Sequence, residues 1–301
     1  MCDSPQLPPQ LLELALLEDT GNVGDLTCLA LVPETTQGAA AIVARCAGVL
    51  AGCPLIPKIL SAVEPQLVWE PNLDDATALT QGAVVGTIRG PARGLLIAER
   101  PILNFLGRLS GIATLTKRYV DAIQGTTAQI YDTRKTTPGW RQLEKYAVTC
   151  GGGRNHRTGL YDAVLIKDNH LALGRQTSEP FSPAEAVIRA KEFLRQRFSE
   201  LPIIEIEVDT LEQFREVLPA EPDIVLLDNM TLAQMTEAVG IRNAIKPTVQ
   251  LEASGGITLE TVRAVAATGV ERISVGALTH SAASMDFGLD WMTFPSDNFD
   301  T

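Results

Sequence analysis

Long apolar runs, paired cysteines and a surplus of positive charge are all missing from this 301-residue chain. No apolar stretch reaches the length that spans a bilayer, which predicts a protein that does not cross the membrane. The five cysteines, Cys2, Cys28, Cys46, Cys53 and Cys150, are odd in number and scattered, without a CxxC pair. That pattern predicts a reduced, cytoplasmic chain with neither a disulfide framework nor structural zinc. Lysine and arginine number 25 against 36 acids, a formal charge of −11. A nucleic-acid binder would normally show an extended basic face, so none is expected as a partner. The first residues show no basic stretch followed by an apolar core, which predicts no signal peptide.

What the chain does have is an ordinary globular composition, 45% hydrophobic and 20% charged. That suits one large domain, or a small one joined to a larger one. Against the acidic background stands a basic island between residues 134 and 175. It holds Arg134, Lys135, Arg141, Lys145, Arg154, Arg157, Lys167 and Arg175, with His156 and His170, against only Glu144, Asp162 and Asp168. Such an island predicts a pocket for a multiply anionic small molecule.

Two halves differ in pattern. Residues 8–19 carry apolar residues at helical spacing behind two prolines, which predicts a helix. Short strand-like runs with Gly and Pro breaks follow (GAAAIVAR, GVLAG, PQLVWE, AVVGTIRG), which suggest a small mixed α/β layer domain. From Gly94 to Gly125 the sequence turns helical, as two segments divided near Ser110-Gly111, and the domain boundary is placed there. The second half repeats one phrase: apolar strand, polar residue at its end, then helix. The strands are expected at 128–133, 162–168, 203–209, 223–229, 249–256 and 272–277. This alternation predicts a parallel sheet.

An incomplete, TIM-like α/β barrel is favoured over an open sheet because nearly every strand ends in residues fit for chemistry. These are Arg134-Lys135, Lys167-Asp168, Glu207, Asp228 and Ser254, which a barrel would gather at one mouth. The third strand also places Glu205 and Glu207 on one face. A buried face with two acids must meet cations, ligand or water.

Three constellations follow, each weighed against a plainer reading. Arg134, Lys135, His156, Arg157 and Lys167 form a cationic set suited to carboxylates and phosphates. Solvated surface charge is the usual fate of such residues, but these sit at strand ends beside Gly151-Gly152-Gly153. Glu207 and Asp228 can hold Mg²⁺, accept sugar hydroxyls or stabilise an oxocarbenium-like centre. A structural salt bridge to the neighbouring cations is the alternative. Ser254-Gly255-Gly256 and Gly276-Ala277 suit phosphate, with His280 a donor just beyond or a solvent-facing residue at a helix start. Lys135 and Lys167 also admit a Schiff-base, aldolase-type site, although five cations exceed what that chemistry needs. Arg100, in ERPILN, reads as an ordinary first-turn helix residue.

Taken together, these residues resemble the quinolinate phosphoribosyltransferase family. The resemblance runs from LLELALLEDTGNVGDLT through ERPILNFLGRLSGIAT to DTRKTTPG, CGGG, NHR and IKDNH. It resumes in EIEVD, LLDNM, EASGGIT and ISVGALTH. TRKTTPG followed by NHR and IKDNH is its most specific part.

The resemblance implies a pentosyltransferase of de novo NAD synthesis that converts quinolinate and phosphoribosyl pyrophosphate, with Mg²⁺, into nicotinate mononucleotide, pyrophosphate and CO₂. It implies an N-terminal α/β sandwich-like domain at 1–111 and an incomplete barrel at 112–301. It also implies a homodimer in which one N-terminal domain covers the partner's barrel mouth, with a hexamer of such dimers a further option. In that arrangement Arg100 reaches the neighbouring site. Arg134, Lys135, His156, Arg157 and Lys167 match the positions that hold the two carboxylates. Glu207 and Asp228 match the acids beside the ribose and Mg²⁺, with Lys135, Lys167, Glu207 and Asp228 the catalytic group. Ser254, Gly255, Gly256, Gly276 and His280 fall at the phosphates. A same-fold paralogue with another anionic acceptor, as in the molybdenum-transport-associated relatives, and a non-catalytic phosphometabolite sensor are the alternatives. The tails MCDSPQ and FPSDNFDT have no reading.

Overall fold

The computed structural model describes residues 5, 7–174 and 181–292. Cys2, Arg175 and nearly all of the two tails lie outside them. The chain forms two compact units: residues 1–117, 136–152 and 278–301 in the first, residues 118–135 and 153–277 in the second.

The first unit begins with the short helices α1 (Pro9–Thr20) and α2 (Leu26–Leu31). α2 starts where Asp25 accepts the N–H groups of Thr27 and Cys28, a side-chain cap on otherwise unpaired donors. Then come β1 (Gln37–Ala44), β2 (Gly48–Val49), α3 (Ile56–Val63), β3 (Val68–Pro71), β4 (Ala78–Leu79) and β5 (Val84–Pro91). The small side chains of β1 let it sit at the centre of an antiparallel sheet, order β12-β1-β5-β3. The outer strand β12 (Phe287–Trp291) returns from the far end of the chain to pair with β1. The first unit therefore takes strand β12 from beyond residue 112, where the sequence places only barrel.

α4 (Ala92–Ala122) is one helix rather than two. Ser110-Gly111 does not break it. A glycine in a helix costs only about 1 kcal/mol, and Gly111 is there for close packing: a Cβ on it would overlap the Ala283 carbonyl oxygen. Ser110 is fully buried and accepts the Ala51 N–H at 3.0 Å.

The second unit is the incomplete parallel α/β barrel. Its strands are β6 (Gln129–Tyr131), β7 (Ala163–Ile166), β8 (Ile203–Val208), β9 (Ile224–Asp228), β10 (Gln250–Ser254) and β11 (Arg272–Ser274). The helices are α5 (Arg141–Cys150, in the first unit), α6 (Asp168–Leu173), α7 (Pro183–Arg195), α8 (Leu211–Val217), α9 (Leu232–Ile245), α10 (Val262–Ala267) and α11 (Ala277–His280, in the first unit from Leu278). Ser182 and Thr231 start α7 and α9 with reciprocal capping boxes. The sheet order is β6-β11-β10-β9-β8-β7, all parallel, so β6 and β7 end the sheet unpaired to each other. That open seam is what makes the barrel incomplete. No helix among the described residues is long and apolar enough to cross a membrane.

Candidate functional site

Strand register fixes which side chains share the inner face of the barrel. Leu165 pairs with Glu205, Glu205 with Ile224, Glu207 with Leu226, Leu226 with Glu252 and Glu252 with Arg272. Ser254 lies opposite Asp228, and Tyr131 opposite Ser274. In-register neighbours point the same way, so this face carries Glu205, Glu207, Asp228, Glu252, Ser254 and Arg272. Ile204, Ile206 and Val208 point the other way and are fully buried. Barrel interiors are normally filled by branched apolar residues. This one is filled largely by charge.

The open seam is occupied by the stretch that follows Gly151-Gly152-Gly153. Arg154 bridges Tyr131 in parallel fashion. Its N–H donates to the Ile130 carbonyl at 2.8 Å, and its carbonyl accepts the Asp132 N–H at 3.1 Å. The His156 N–H donates to the Asp132 carboxylate at 2.8 Å. The Arg157 guanidinium then reaches the Ala163 carbonyl, at the start of β7, at 3.3 Å.

His156 thereby points into the barrel. Its Nε2 lies 2.9 Å from Glu205 Oε2 and 3.4 Å from Glu252 Oε1. Arg272 donates to the other Glu252 oxygen at 2.6 Å and lays its guanidinium 3.7 Å over the Tyr131 ring. Burial alone would lower the imidazole pKa, but the two carboxylates outweigh it and push it up to about 9. Burial, then the nearby Glu252 charge, raises Glu205. Burial also opposes ionisation of Glu252, yet His156 and Arg272 hold it below the ordinary range. The Arg157 N–H donates to His156 Nδ1 at 2.8 Å, a contact open only to the ring with its single proton on Nε2. The cationic ring keeps the carboxylates and gives up that N–H.

Of the remaining cations, Arg134, Lys135 and Lys167 follow the ends of β6 and β7, while Arg157 bonds the first residue of β7. Burial and the neighbouring Arg134 charge both depress the Arg157 pKa, so two guanidinium groups share one region. Lys135 is exposed, with its N–H on the Thr133 hydroxyl at 3.1 Å. Lys167, just past β7, pairs with Glu207 of β8. Asp228 closes β9 half-buried and accepts the Asn229 side-chain amide at 2.7 Å. Gly255 has φ +97°, and a Cβ there would overlap the Asn229 side chain, so this turn requires glycine.

Gly255 and Gly256 do not open a helix, because α10 starts only at Val262. His280 is the last residue of α11 rather than a helix-start residue, and bonds Ser281 at 2.7 Å. Gly276 directly precedes α11. His280 and Arg100 belong to the first unit. Arg100 is exposed on α4, beside a groove shared with Asn104, Ser284 and Asp286.

As for metals, Glu207 and Asp228 sit on the same face of adjacent strands, offset by two residues, and offer hard carboxylate oxygens suited to Mg²⁺. His156, Glu205 and Glu252 also approach within 4.8 Å of one another. Arg272 already donates to one oxygen of Glu252, and the imidazolium that the two carboxylates favour has no Nε2 lone pair to offer a metal. That trio is built for a proton.

Comparison with known proteins agrees with this architecture. Residues 25–110 match the N-terminal domain model of quinolinate phosphoribosyl transferase, and residues 112–290 match its C-terminal domain model. The chain is 44% identical over 279 residues to the nicotinate-nucleotide pyrophosphorylase [carboxylating] of Mycobacterium leprae, covering 92% of this chain and 94% of that one. A probable enzyme of the same name from Bacillus subtilis is 40% identical over 281 residues, covering 93% and 92%. The solved nicotinate-nucleotide pyrophosphorylase of Francisella tularensis superposes with a TM-score of 0.86 at 34% identity, over 97% of this chain and 100% of that one. With two matching domain models, relatives aligned almost end to end and the barrel seam in place, the chain belongs to the quinolinate phosphoribosyltransferase family.

Proposed function

We propose that the chain transfers the phosphoribosyl group of phosphoribosyl pyrophosphate to the ring nitrogen of quinolinate. Loss of CO₂ from the adjacent carbon then gives nicotinate mononucleotide for NAD synthesis. The observation that carries this reading is the density of cations in an acidic protein: Arg134 close enough to depress the Arg157 pKa, and Lys167 just past β7. Two adjacent ring carboxylates need that density of fixed positive charge; a monocarboxylate does not.

In this reading Arg134, Arg157, Lys135 and Lys167 hold the two carboxylates and orient the ring nitrogen towards C1 of the ribose. Glu207 and Asp228 hold the ribose and the Mg²⁺ that arrives with the pyrophosphate. When bound, that ion supplies neutralisation of the leaving group's charge. The bond from C1 to the pyrophosphate oxygen breaks as the nitrogen lone pair forms the new C1–N bond. The nitrogen becomes cationic, so the C–CO₂⁻ bond next to it can release CO₂ and leave its electron pair on the ring carbon. A proton then completes that carbon. Ser254, Gly255, Gly256, Gly276 and His280 are assigned to the phosphates.

We further propose a cytoplasmic homodimer in which Arg100 of one subunit completes the site of the other. Cys28, Cys46, Cys53 and Cys150 carry thiols, in keeping with a reducing compartment. Mixing an inactive Arg100→Ala protein with an inactive Lys167→Ala protein should restore part of the activity through one intact site per heterodimer. No recovery after proven subunit exchange would leave each site to a single chain.

The test of the reaction is direct. The protein is incubated with phosphoribosyl pyrophosphate, Mg²⁺ and either quinolinate or nicotinate, and nicotinate mononucleotide and CO₂ are followed. Product from quinolinate and none from nicotinate is expected. Binding of phosphoribosyl pyrophosphate without product from either acid would point to a different acceptor.

A further inference from the structure

The four buried groups inside the barrel are more elaborate than a dicarboxylate site requires. Glu205 and Glu252 are 2% and 0% exposed and touch no strand end. One oxygen of each is buried without a hydrogen bond among the described residues: Glu205 Oε1, and Glu252 Oε1, which has only its 3.4 Å ion-pair contact with His156 Nε2. Leaving carboxylate oxygens in that state is costly. A merely apolar core would be cheaper at both positions. Something therefore uses the charge.

What it holds is the seam. The stretch from Arg154 to Arg157 is fastened by its backbone to β6, through Arg157 to β7, and through His156 to β8 and β10 at once. Arg272 of β11 locks Glu252 from the other side. Three of the six strands, β8, β10 and β11, meet with the seam segment on one imidazole and its two carboxylates. Arg157 is the next residue along the chain from that anchored ring.

We propose that Glu205 and Glu252 are positioning residues for the anion site: by gripping His156 across the barrel they set where Arg157 stands in the open seam, while His156 itself stays turned inward when substrate binds. This rests on the quinolinate reading above and goes beyond it, since it gives His156 an internal partner rather than a substrate carboxylate.

The experiment has two arms. In the first, Glu205→Gln, which keeps the shape and removes the charge, is compared with the native chain in steady-state kinetics. The KM for quinolinate should rise roughly 10- to 100-fold with the displaced guanidinium, while the KM for phosphoribosyl pyrophosphate stays within about twofold. An unchanged quinolinate KM, or equal rises for both substrates, would overturn the proposal. A native protein that does not turn over quinolinate at all would instead sink the reaction, a separate result.

The second arm uses the native protein, so it holds even if the variant fails to fold. The chain has only three histidines, so ¹⁵N-histidine labelling gives three ring systems. The ring that keeps its second proton furthest into the alkaline range is His156. Its Nε2 shift should stay in place on saturation with quinolinate. A large Nε2 shift would mean the ring turns onto the ligand, and the positioning role would be wrong.

Discussion

Glu144 of α5, with no exposed surface, is held by Arg108 of α4 at 2.8 Å. The same carboxylate accepts the Thr137 N–H at 3.1 Å and the Thr137 hydroxyl at 2.9 Å, so it also fastens the TTPG turn. Arg108 in turn donates to the carbonyls of Thr279 and Ala282. One buried pair therefore ties three stretches of the first unit that are far apart in sequence. Removing the arginine leaves a buried charge uncompensated, and Arg108→Ala should cost roughly 3 kcal/mol of stability. Urea unfolding of the two proteins measures it; a loss below 1 kcal/mol would show that water reaches Glu144.

The glycines of two helices should respond oppositely to the same change. Gly111 in α4 faces the Ala283 carbonyl with no room for a Cβ, so Gly111→Ala should destabilise by about 1–3 kcal/mol through overpacking. Gly240 in α9 has nothing within 4 Å, so Gly240→Ala should stabilise by up to about 1 kcal/mol through helix propensity. Melting temperatures of the two variants, measured side by side, give the signs.

Gly111 also shows what a sequence conceals. Read alone, Ser110-Gly111 marks a break; only the chain passing at Ala283 explains why a helix keeps a glycine there. β12 escapes notice for a related reason, since FGLDW has a weak alternation and its partner β1 lies at the other end of the chain. α6, six residues long, is too short for helical periodicity to appear. The barrel strands were legible because buried parallel strands must be apolar runs at regular spacing. The acids at their ends were legible too. Glu205 shares the face of Glu207 as its spacing predicts, but its partners are not legible at strand ends: Glu252 lies in mid-strand within VQLEAS, and Arg272 opens β11 in RISVGA. A signal was available there, because an acid inside an apolar strand requires a buried cation on a neighbouring one.

The His156 cluster makes stability depend on pH in a defined window. The ring's pKa is about 9 in the folded chain against an ordinary 6.5, so folding binds its proton more tightly. The contribution is then whole below about pH 6.5 and fades as pH rises towards 9, by roughly 3 kcal/mol at 1.36 kcal/mol per unit. The charged groups that face the ring are the carboxylates of Glu205 and Glu252, the second of them also held by Arg272. Chemical unfolding at pH 6 and pH 9 should show the drop in the native protein and lose it in His156→Gln. An equal drop in both would assign the pH dependence elsewhere.

Lys135 offers the cleanest separation of chemistry from fold. It is exposed, it lies in the loop after β6, and its backbone N–H donates to the Thr133 hydroxyl. Lys135→Ala should therefore leave the unfolding curve within about 0.5 kcal/mol of the native one, as surface changes do. A lost charge-assisted contact to an anionic substrate is worth roughly 1.5–3 kcal/mol, so kcat/KM should fall by about 10- to 100-fold. The distribution of that loss says more. A rise in KM for quinolinate alone would place the ammonium on a carboxylate in the ground state. A fall in kcat with KM unchanged would place it on charge that develops only as the C1–pyrophosphate bond breaks. A folded variant with native kcat/KM would remove Lys135 from the site and leave Arg134, Arg157 and Lys167 to hold the anions.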